Sequence, residues 1–317
     1  MKIVCMEPLG VKMAKIEAVA APLKAAGHEF VYYSDKETDQ EKLLARVQDA
    51  DIIMLANQPL SAAVINACPK LKMLSVAFTG VDHIALDACR KRNIMVCNAA
   101  GYSTNAVAEL VFGLLISVVR NIVACDERCR HAGTKDGLVG FELLGKTFGV
   151  VGTGAIGSRV AQLAAAFGCR VLAYSRTQRA ELAARGVEYV TLNELLAQAD
   201  FVSLHVPLTD ATSGLINAEA ISKMKSSAVL INTARGPVVD SEALAAALKE
   251  GRLAGAGIDV FEGEPPIAED HPLCAAPNTV LTPHVAFASR EALEARAEIV
   301  FANISSWLAG APQNVIK

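Results

Sequence analysis

The sequence predicts an α/β protein built of two doubly wound parallel-sheet domains, one inserted into the other. Three observations predict it. Short apolar, strand-like runs alternate with amphipathic helical stretches along the whole chain. A glycine fingerprint, Gly152-Thr153-Gly154-Ala155-Ile156-Gly157, directly follows the apolar run Phe148 to Val151 in mid-chain. Ahead of it lies a separate α/β pattern of about 100 residues, and 317 residues are enough for two domains. The division expected is residues 1–100 with 290–317 as one domain, and residues 101–289 as the inserted one.

In the first domain, Ile3 to Met6, Phe30 to Tyr33, Asp51 to Leu55, Met73 to Ala77 and Met95 to Cys97 read as strands separated by helices. A long helical pattern then runs from Thr104 to about Arg130 and is expected to cross from one domain to the other. Lys146 to Val151, Ile156 to Phe167 and Cys169 to Tyr174 form a βαβ unit around the fingerprint. Further strands are expected at Phe201 to Leu204, Val229 to Asn232, Gly255 to Ile258 and Val280 to Leu281. The last helix, Arg290 to Leu308, should return to pack on the first domain.

A G-x-G-x-x-G that closes a strand and opens a helix is a dinucleotide site. The first glycine permits the tight turn, the second lets the backbone approach a pyrophosphate, and the third lets helix and strand pack closely. Roughly 20 residues on, an acidic residue normally holds the adenosine ribose. Here the chain reads Tyr174-Ser175-Arg176-Thr177, with Arg179 close behind. A carboxylate would repel a 2′-phosphate, whereas a hydroxyl and a guanidinium can bond one, so NADP is expected ahead of NAD, with NAD also accepted.

Three later strand ends carry the remaining chemistry. Val229-Leu230-Ile231-Asn232 ends in Thr233-Ala234-Arg235-Gly236, Asp259-Val260-Phe261 leads to Glu262-Gly263-Glu264, and Val280-Leu281 leads to Thr282-Pro283-His284. Parallel sheets bind ligands at the carboxyl ends of their strands, so an arginine, a carboxylate and a histidine reach one edge. An arginine can hold a carboxylate bidentately, and a histidine can exchange a proton with a carbonyl or hydroxyl oxygen. A carboxylate behind the histidine fixes its tautomer. Singly each has a bland explanation as a surface or turn residue; together they suit a 2-oxo or 2-hydroxy acid. His205, in Leu204-His205-Val206-Pro207, is read as cofactor lining and not as a second proton donor.

Composition excludes other classes. With 52% apolar and 20% charged residues and a net charge of −3, no basic field favours nucleic acid. No apolar stretch is long enough to span a bilayer, and no signal-like segment follows the start, so a cytoplasmic protein without membrane contact is expected. The eight cysteines lack a repeated C-x-x-C and read as reduced, buried small hydrophobes. Cys125 and Cys129 lie one helical turn apart near His131, but no second ligand cluster accompanies them, so no metal is expected.

Over nearly its whole length the chain resembles the D-isomer-specific 2-hydroxyacid dehydrogenase family. The motifs that carry this are Gly152 to Gly157, His205-Val206-Pro207-Leu208, Asn232 to Gly236, Asp259 to Glu262 with Glu264-Pro265, and Pro283-His284. The resemblance implies a Rossmann nucleotide-binding domain inserted into a flavodoxin-like substrate domain. It implies Arg235, Glu264 and His284 as the catalytic set: Arg235 on the substrate carboxylate and carbonyl, His284 as acid/base, Glu264 as its partner. It assigns Thr79-Gly80 to backbone contacts with the substrate carboxylate and puts Phe78 beside it. It places Thr104, Thr233 and Asp259 by the nicotinamide end. The cofactor-lining set also takes in Ala155, Ile156, Ser175, Arg176, Thr177, His205, Pro207 and Ala234. A homodimer formed through the nucleotide domain is implied as well.

The segment Asn98-Ala99-Ala100-Gly101-Tyr102-Ser103-Thr104 resembles glycerate dehydrogenases and hydroxypyruvate or glyoxylate reductases. Reduction of a small 2-oxo acid to the D-2-hydroxy acid is therefore the expectation. Phe78 leaves a D-lactate-type or branched-chain 2-hydroxyacid dehydrogenase open. A D-3-phosphoglycerate dehydrogenase and a non-catalytic nucleotide-sensing scaffold stay open as well.

Overall fold

The computed structural model describes residues 1–263 and 266–316. The chain divides into two compact units, Met1–Ser103 with Ala288–Lys317, and Thr104–Phe287.

The first unit runs β1 (Lys2–Cys5), α1 (Met13–Ala25), β2 (Glu29–Tyr32), α2 (Gln40–Val47), β3 (Ile52–Leu55), α3 (Ala62–Asn66), β4 (Met73–Val76), α4 (Leu86–Lys91) and β5 (Met95–Cys97). The strands form an all-parallel sheet in the order β2-β1-β3-β4-β5. Strands β1, β3 and β4 are almost wholly buried and mostly Ile, Val, Leu and Met, as a parallel sheet covered on both faces requires. Asp39 and Ser61 cap the amide groups that open α2 and α3.

The second unit continues with α5 (Thr104–Val119), α6 (Ile122–Arg130), β6 (Thr147–Val151), α7 (Ala155–Ala166), β7 (Arg170–Tyr174), α8 (Ala180–Ala183), β8 (Glu188–Tyr189), α9 (Leu192–Gln198) and β9 (Phe201–Leu204). It closes with α10 (Ala218–Ser222), β10 (Val229–Asn232), α11 (Ser241–Lys249), β11 (Gly255–Ile258) and β12 (Thr279–Leu281). Its seven strands are parallel in the order β12-β11-β10-β9-β6-β7-β8, so the order reverses beside β6 and leaves the nucleotide crevice of a doubly wound sheet there. Helix α5 packs on β10, β11 and α7 with Val111, Leu114 and Leu115 buried. Helix α12 (Arg290–Leu308) belongs to the first unit, where it packs on α1 and β4, and Ser75 Oγ donates to the Val300 carbonyl at 2.9 Å.

Two expectations are corrected, and one strand was not foreseen. The helical pattern from Thr104 to Arg130 is two helices bent by 59°, because Asn121 takes a left-handed φ of 53° at the break. The two-residue strand β8 has too short an apolar pattern to announce itself. Five cysteines are buried as expected, but Cys129 and Cys274 are exposed and Cys125 is half-buried. No single helix among the described residues is long and apolar enough to cross a membrane.

Candidate active site

The fingerprint turn has the geometry its glycines demand. Gly152 has a φ of +96°, and a Cβ there would sit 2.6 Å from the His205 carbonyl oxygen. A Cβ on Gly157 would fall on the Gly152 carbonyl, so α7 can start against β6 only with glycine here. Gly154 differs: a Cβ there would meet nothing within 4 Å. As N-cap of α7 it offers no capping side chain to the first-turn amides, among them those of Ala155 and Ile156, at the positive end of a 12-residue helix. That cradle fits an anionic diphosphate.

Beyond β7, Ser175 is half-buried while Arg176 and Thr177 are exposed. Arg179 is drawn back over the fingerprint. Its Nε donates to the Thr153 carbonyl at 2.6 Å, its backbone N–H donates to Tyr189 Oη at 2.9 Å, and Tyr189 Oη donates to Thr153 Oγ1 at 3.2 Å. Sequence reasoning missed Tyr189, for no motif marks it and the strand that presents it has only two residues.

On the other side of the switch point, the His205 N–H donates to the Val151 carbonyl at 2.7 Å, and its Nε2 is hydrogen-bonded to Ser203 Oγ at 2.9 Å. Burial pushes His205 down to about 3, leaving a neutral ring at neutral pH. Pro207 is exposed at the following turn, which Thr212 Oγ1 closes by donating to the Pro207 carbonyl at 2.5 Å. At the end of β10, Thr233 is buried and its Oγ1 has no hydrogen-bond partner. An orphaned hydroxyl at a sheet's carboxyl edge fits the amide and ribose groups of a nicotinamide nucleoside.

The polar edge spans three neighbouring strands, with Asn232 level with Ile258 and Ile258 level with Leu281. Asn232 braces the arginine turn: its Oδ1 accepts the Ala234 N–H at 3.0 Å and its Nδ2 donates to the Arg235 carbonyl at 2.9 Å. Arg235 Nη1 donates to the Ala234 carbonyl at 2.8 Å, and the side chain is half-buried. Asp259 is fully buried and accepts from Thr282 Oγ1 at 2.5 Å and from the Val285 and Ala286 N–H groups, each at 2.9 Å. Burial pushes its carboxyl up, opposed by these bonds and by His284. Asp259 thus holds both flanks of His284. His284 itself has a left-handed φ of 55°, rare for a residue with a Cβ, and its N–H donates to the Asp259 carbonyl at 2.8 Å. Glu264 lies outside the described residues. Its neighbour Glu262 is engaged elsewhere, accepting from Ser241 Oγ at 2.9 Å and lying 3.1 Å from His271 Nε2.

In the first unit, Thr79 is exposed and Gly80 half-buried past β4, and Asn98 Nδ2 donates to the Thr79 carbonyl at 2.7 Å. The Phe78 ring is buried, with the Arg296 guanidinium 5.4 Å from its centroid and the Tyr102 ring at 6.2 Å. Thr104 opens α5, half-buried.

The NAD binding domain of the D-isomer specific 2-hydroxyacid dehydrogenases matches residues 112–286. The chain belongs to that family. The dehydrogenase is 41% identical over 297 residues to the glyoxylate reductase of Korarchaeum cryptofilum, covering 91% of this chain and 89% of the relative. It is 38% identical over 299 residues to the glycerate dehydrogenase of Methylorubrum extorquens, covering 92% of each. Among solved structures, an acyclic imino acid reductase, Bsp5, in complex with NADPH and D-Arg superposes with a TM-score of 0.91 at 33% identity over 100% of both chains. The dehydrogenase is an oxidoreductase of the D-2-hydroxyacid family with a domain for a nicotinamide cofactor.

Proposed function

We propose that the dehydrogenase reduces glyoxylate or hydroxypyruvate to the D-2-hydroxy acid, with NADPH preferred over NADH. The observation that carries it is the convergence of Arg235, Asp259 and His284 at the ends of three adjacent strands, in the unit that holds the fingerprint. When bound, the nicotinamide supplies the hydride. Arg235 binds and orients the substrate carboxylate, and Thr79-Gly80, with Phe78 beside them, keep the substrate-contact role that the resemblance implies. His284 gives its proton to the C2 oxygen, with its direction set by the left-handed backbone and by Asp259. Glu264 is proposed to steady the charged imidazole. Thr104, Thr233, Ala234 and Pro207 are proposed to line the cofactor.

Ser175, Arg176 and Thr177, together with the missing ribose acid, support the NADP preference. Eight unpaired cysteines support a reducing, cytoplasmic setting. The exposed apolar residues Ile122, Val123, Val139, Leu144 and Phe167 on the nucleotide unit support a homodimer.

The likeness to an imino acid reductase favours a second reading, hydride transfer to a 2-imino acid. Initial rates with NADPH and NADH against glyoxylate, hydroxypyruvate and pyruvate, with and without methylamine, decide among these. The proposal expects the free 2-oxo acids to turn over fastest with NADPH. Equal rates with the two cofactors would remove the NADP preference, and turnover only with amine present would select the imine reading.

A further inference from the structure

Three asparagines from distant parts of the chain form one hydrogen-bonded line in the first unit. Asn98 follows β5, Asn303 lies within α12 and Asn314 lies in the segment after it. Asn314 Nδ2 donates to Asn303 Oδ1 at 2.9 Å, Asn303 Nδ2 donates to the Asn98 carbonyl at 2.8 Å, and Asn98 Nδ2 donates to the Thr79 carbonyl at 2.7 Å. The Asn98 N–H donates back to the Asn314 carbonyl at 3.0 Å, so the backbone of Asn98 is held from both sides. Asn303 is fully buried and Asn98 nearly so.

Covering the edge of the sheet does not require this line. The segment after α12 already pairs with β5, for the Ile316 N–H donates to the Val96 carbonyl at 2.8 Å and Val315 bridges to Cys97. Asparagine is a poor helix former, and its amide is costly to bury unless its polar atoms are bonded. Asn303 uses both ends of that amide on the other two asparagines. Bonded networks of this kind stiffen the group at their end, which here is the Thr79 carbonyl.

Fixing that carbonyl fixes a direction. A peptide group is planar and trans, so the N–H of Gly80 points opposite to the carbonyl of Thr79. Asn98 draws the carbonyl toward the end of β5, and the Gly80 N–H faces the other way, where it donates to no group among the described residues. An open N–H in a half-buried turn at the carboxyl edge of a parallel sheet suits an anionic oxygen. Such a bond weakens steeply when donor and acceptor are misaligned.

We infer that Asn98, held by Asn303 and Asn314, is a positioning residue for substrate capture, aiming the Gly80 N–H at the carboxylate of the 2-oxo acid. The segment after α12 thereby acts on substrate affinity without touching the substrate. This rests on the proposed reading in which the Thr79-Gly80 backbone holds that carboxylate.

The experiment uses the intact dehydrogenase with NADPH and oxamate, an unreactive 2-oxo acid analogue that keeps the carboxylate. Asn98→Leu preserves both backbone bonds of residue 98 and removes the side-chain donor. It should raise the oxamate inhibition constant and the KM for glyoxylate about tenfold, with kcat within threefold and NADPH affinity within twofold. Asn314→Gly keeps the left-handed φ of 54° and removes only the amide, so the fold is spared; both constants should rise at least threefold. Equal losses in NADPH affinity and kcat would mean a merely structural line, and unchanged oxamate and glyoxylate constants would mean that the turn needs no support; either overturns the inference. An effect confined to Asn98→Leu overturns the part given to the segment after α12. The amide resonance of Gly80, followed by isotope labelling of glycine, tests the underlying reading separately. It should shift when oxamate binds the wild type. No shift overturns the carboxylate reading and the inference with it, whereas a shift together with unchanged constants in the variants overturns the inference alone.

Discussion

His284 occupies a backbone region that side chains avoid, and Asp259 secures the residues on either side of it. The geometry sets the expected kinetics. His284→Ala should lower kcat by about 10²- to 10⁴-fold and leave NADPH affinity within twofold if, as proposed, it is the proton donor. Arg235→Gln should act mainly on KM for the 2-oxo acid. Steady-state kinetics with fluorescence titration of NADPH separates the two, and a His284→Ala enzyme with wild-type kcat would remove the acid/base role. His205 makes a different prediction. Its folded value lies near 3 against an ordinary 6.5, so between these values the unfolded chain binds a proton that the native chain does not. Stability from this residue is therefore intact above about pH 6.5 and lost as pH falls, with a slope of at most about 1.4 kcal/mol per pH unit. Urea unfolding at pH 7 and pH 5 should show the loss, and His205→Asn should flatten it. Arg235 and His284 were legible because each ends an apolar run. Tyr189 and the anchored Arg179 were not, because their partner Thr153 is brought to them by β7 and β8 pairing.

At the scale of elements, the β6-turn-α7 unit depends on backbone proximity that no other residue type permits. Gly157→Ala would push a methyl group into the Gly152 carbonyl, so the helix must move away from the strand. A loss of about 1 to 3 kcal/mol in stability is expected, together with weakened NADPH binding, as the α7 amides leave their position. Thermal unfolding with and without NADPH checks both; a variant with unchanged melting temperature and unchanged cofactor shift would contradict the close-packing account. Strand and helix positions were largely legible from periodicity: β5, β9, β10, β11 and α12 lie at the residues expected. The bend after α5 was not, because apolar spacing continues through Asn121 and only its left-handed φ interrupts the helix. The line of Asn98, Asn303 and Asn314 was equally hidden, since asparagines far apart in sequence read as unrelated until β5, α12 and the segment after it are seen together.

For the whole molecule, the exposed apolar residues around α6, the 139–144 segment and the end of α7 predict self-association. Val139 is 85% and Leu144 71% exposed, more than an isolated protein gains from leaving in water. Light scattering at micromolar concentration should report a dimer, and Val139→Asp with Leu144→Asp should shift it to monomer while each chain stays folded. A monomeric wild type would sink the homodimer reading.

The sequence by itself determined the α/β class, the glycine turn between β6 and α7 and the placing of Arg235, Asp259 and His284 after three neighbouring strands, because these depend on periodicity and on residue types at strand ends. Tertiary structure alone decided that Asp259 serves the His284 loop, that Arg179 and Tyr189 lock the fingerprint, and that Asn98, Asn303 and Asn314 join behind Thr79. Each of these depends on which strands are neighbours, and spatial neighbours far apart in sequence leave no periodic trace along the chain.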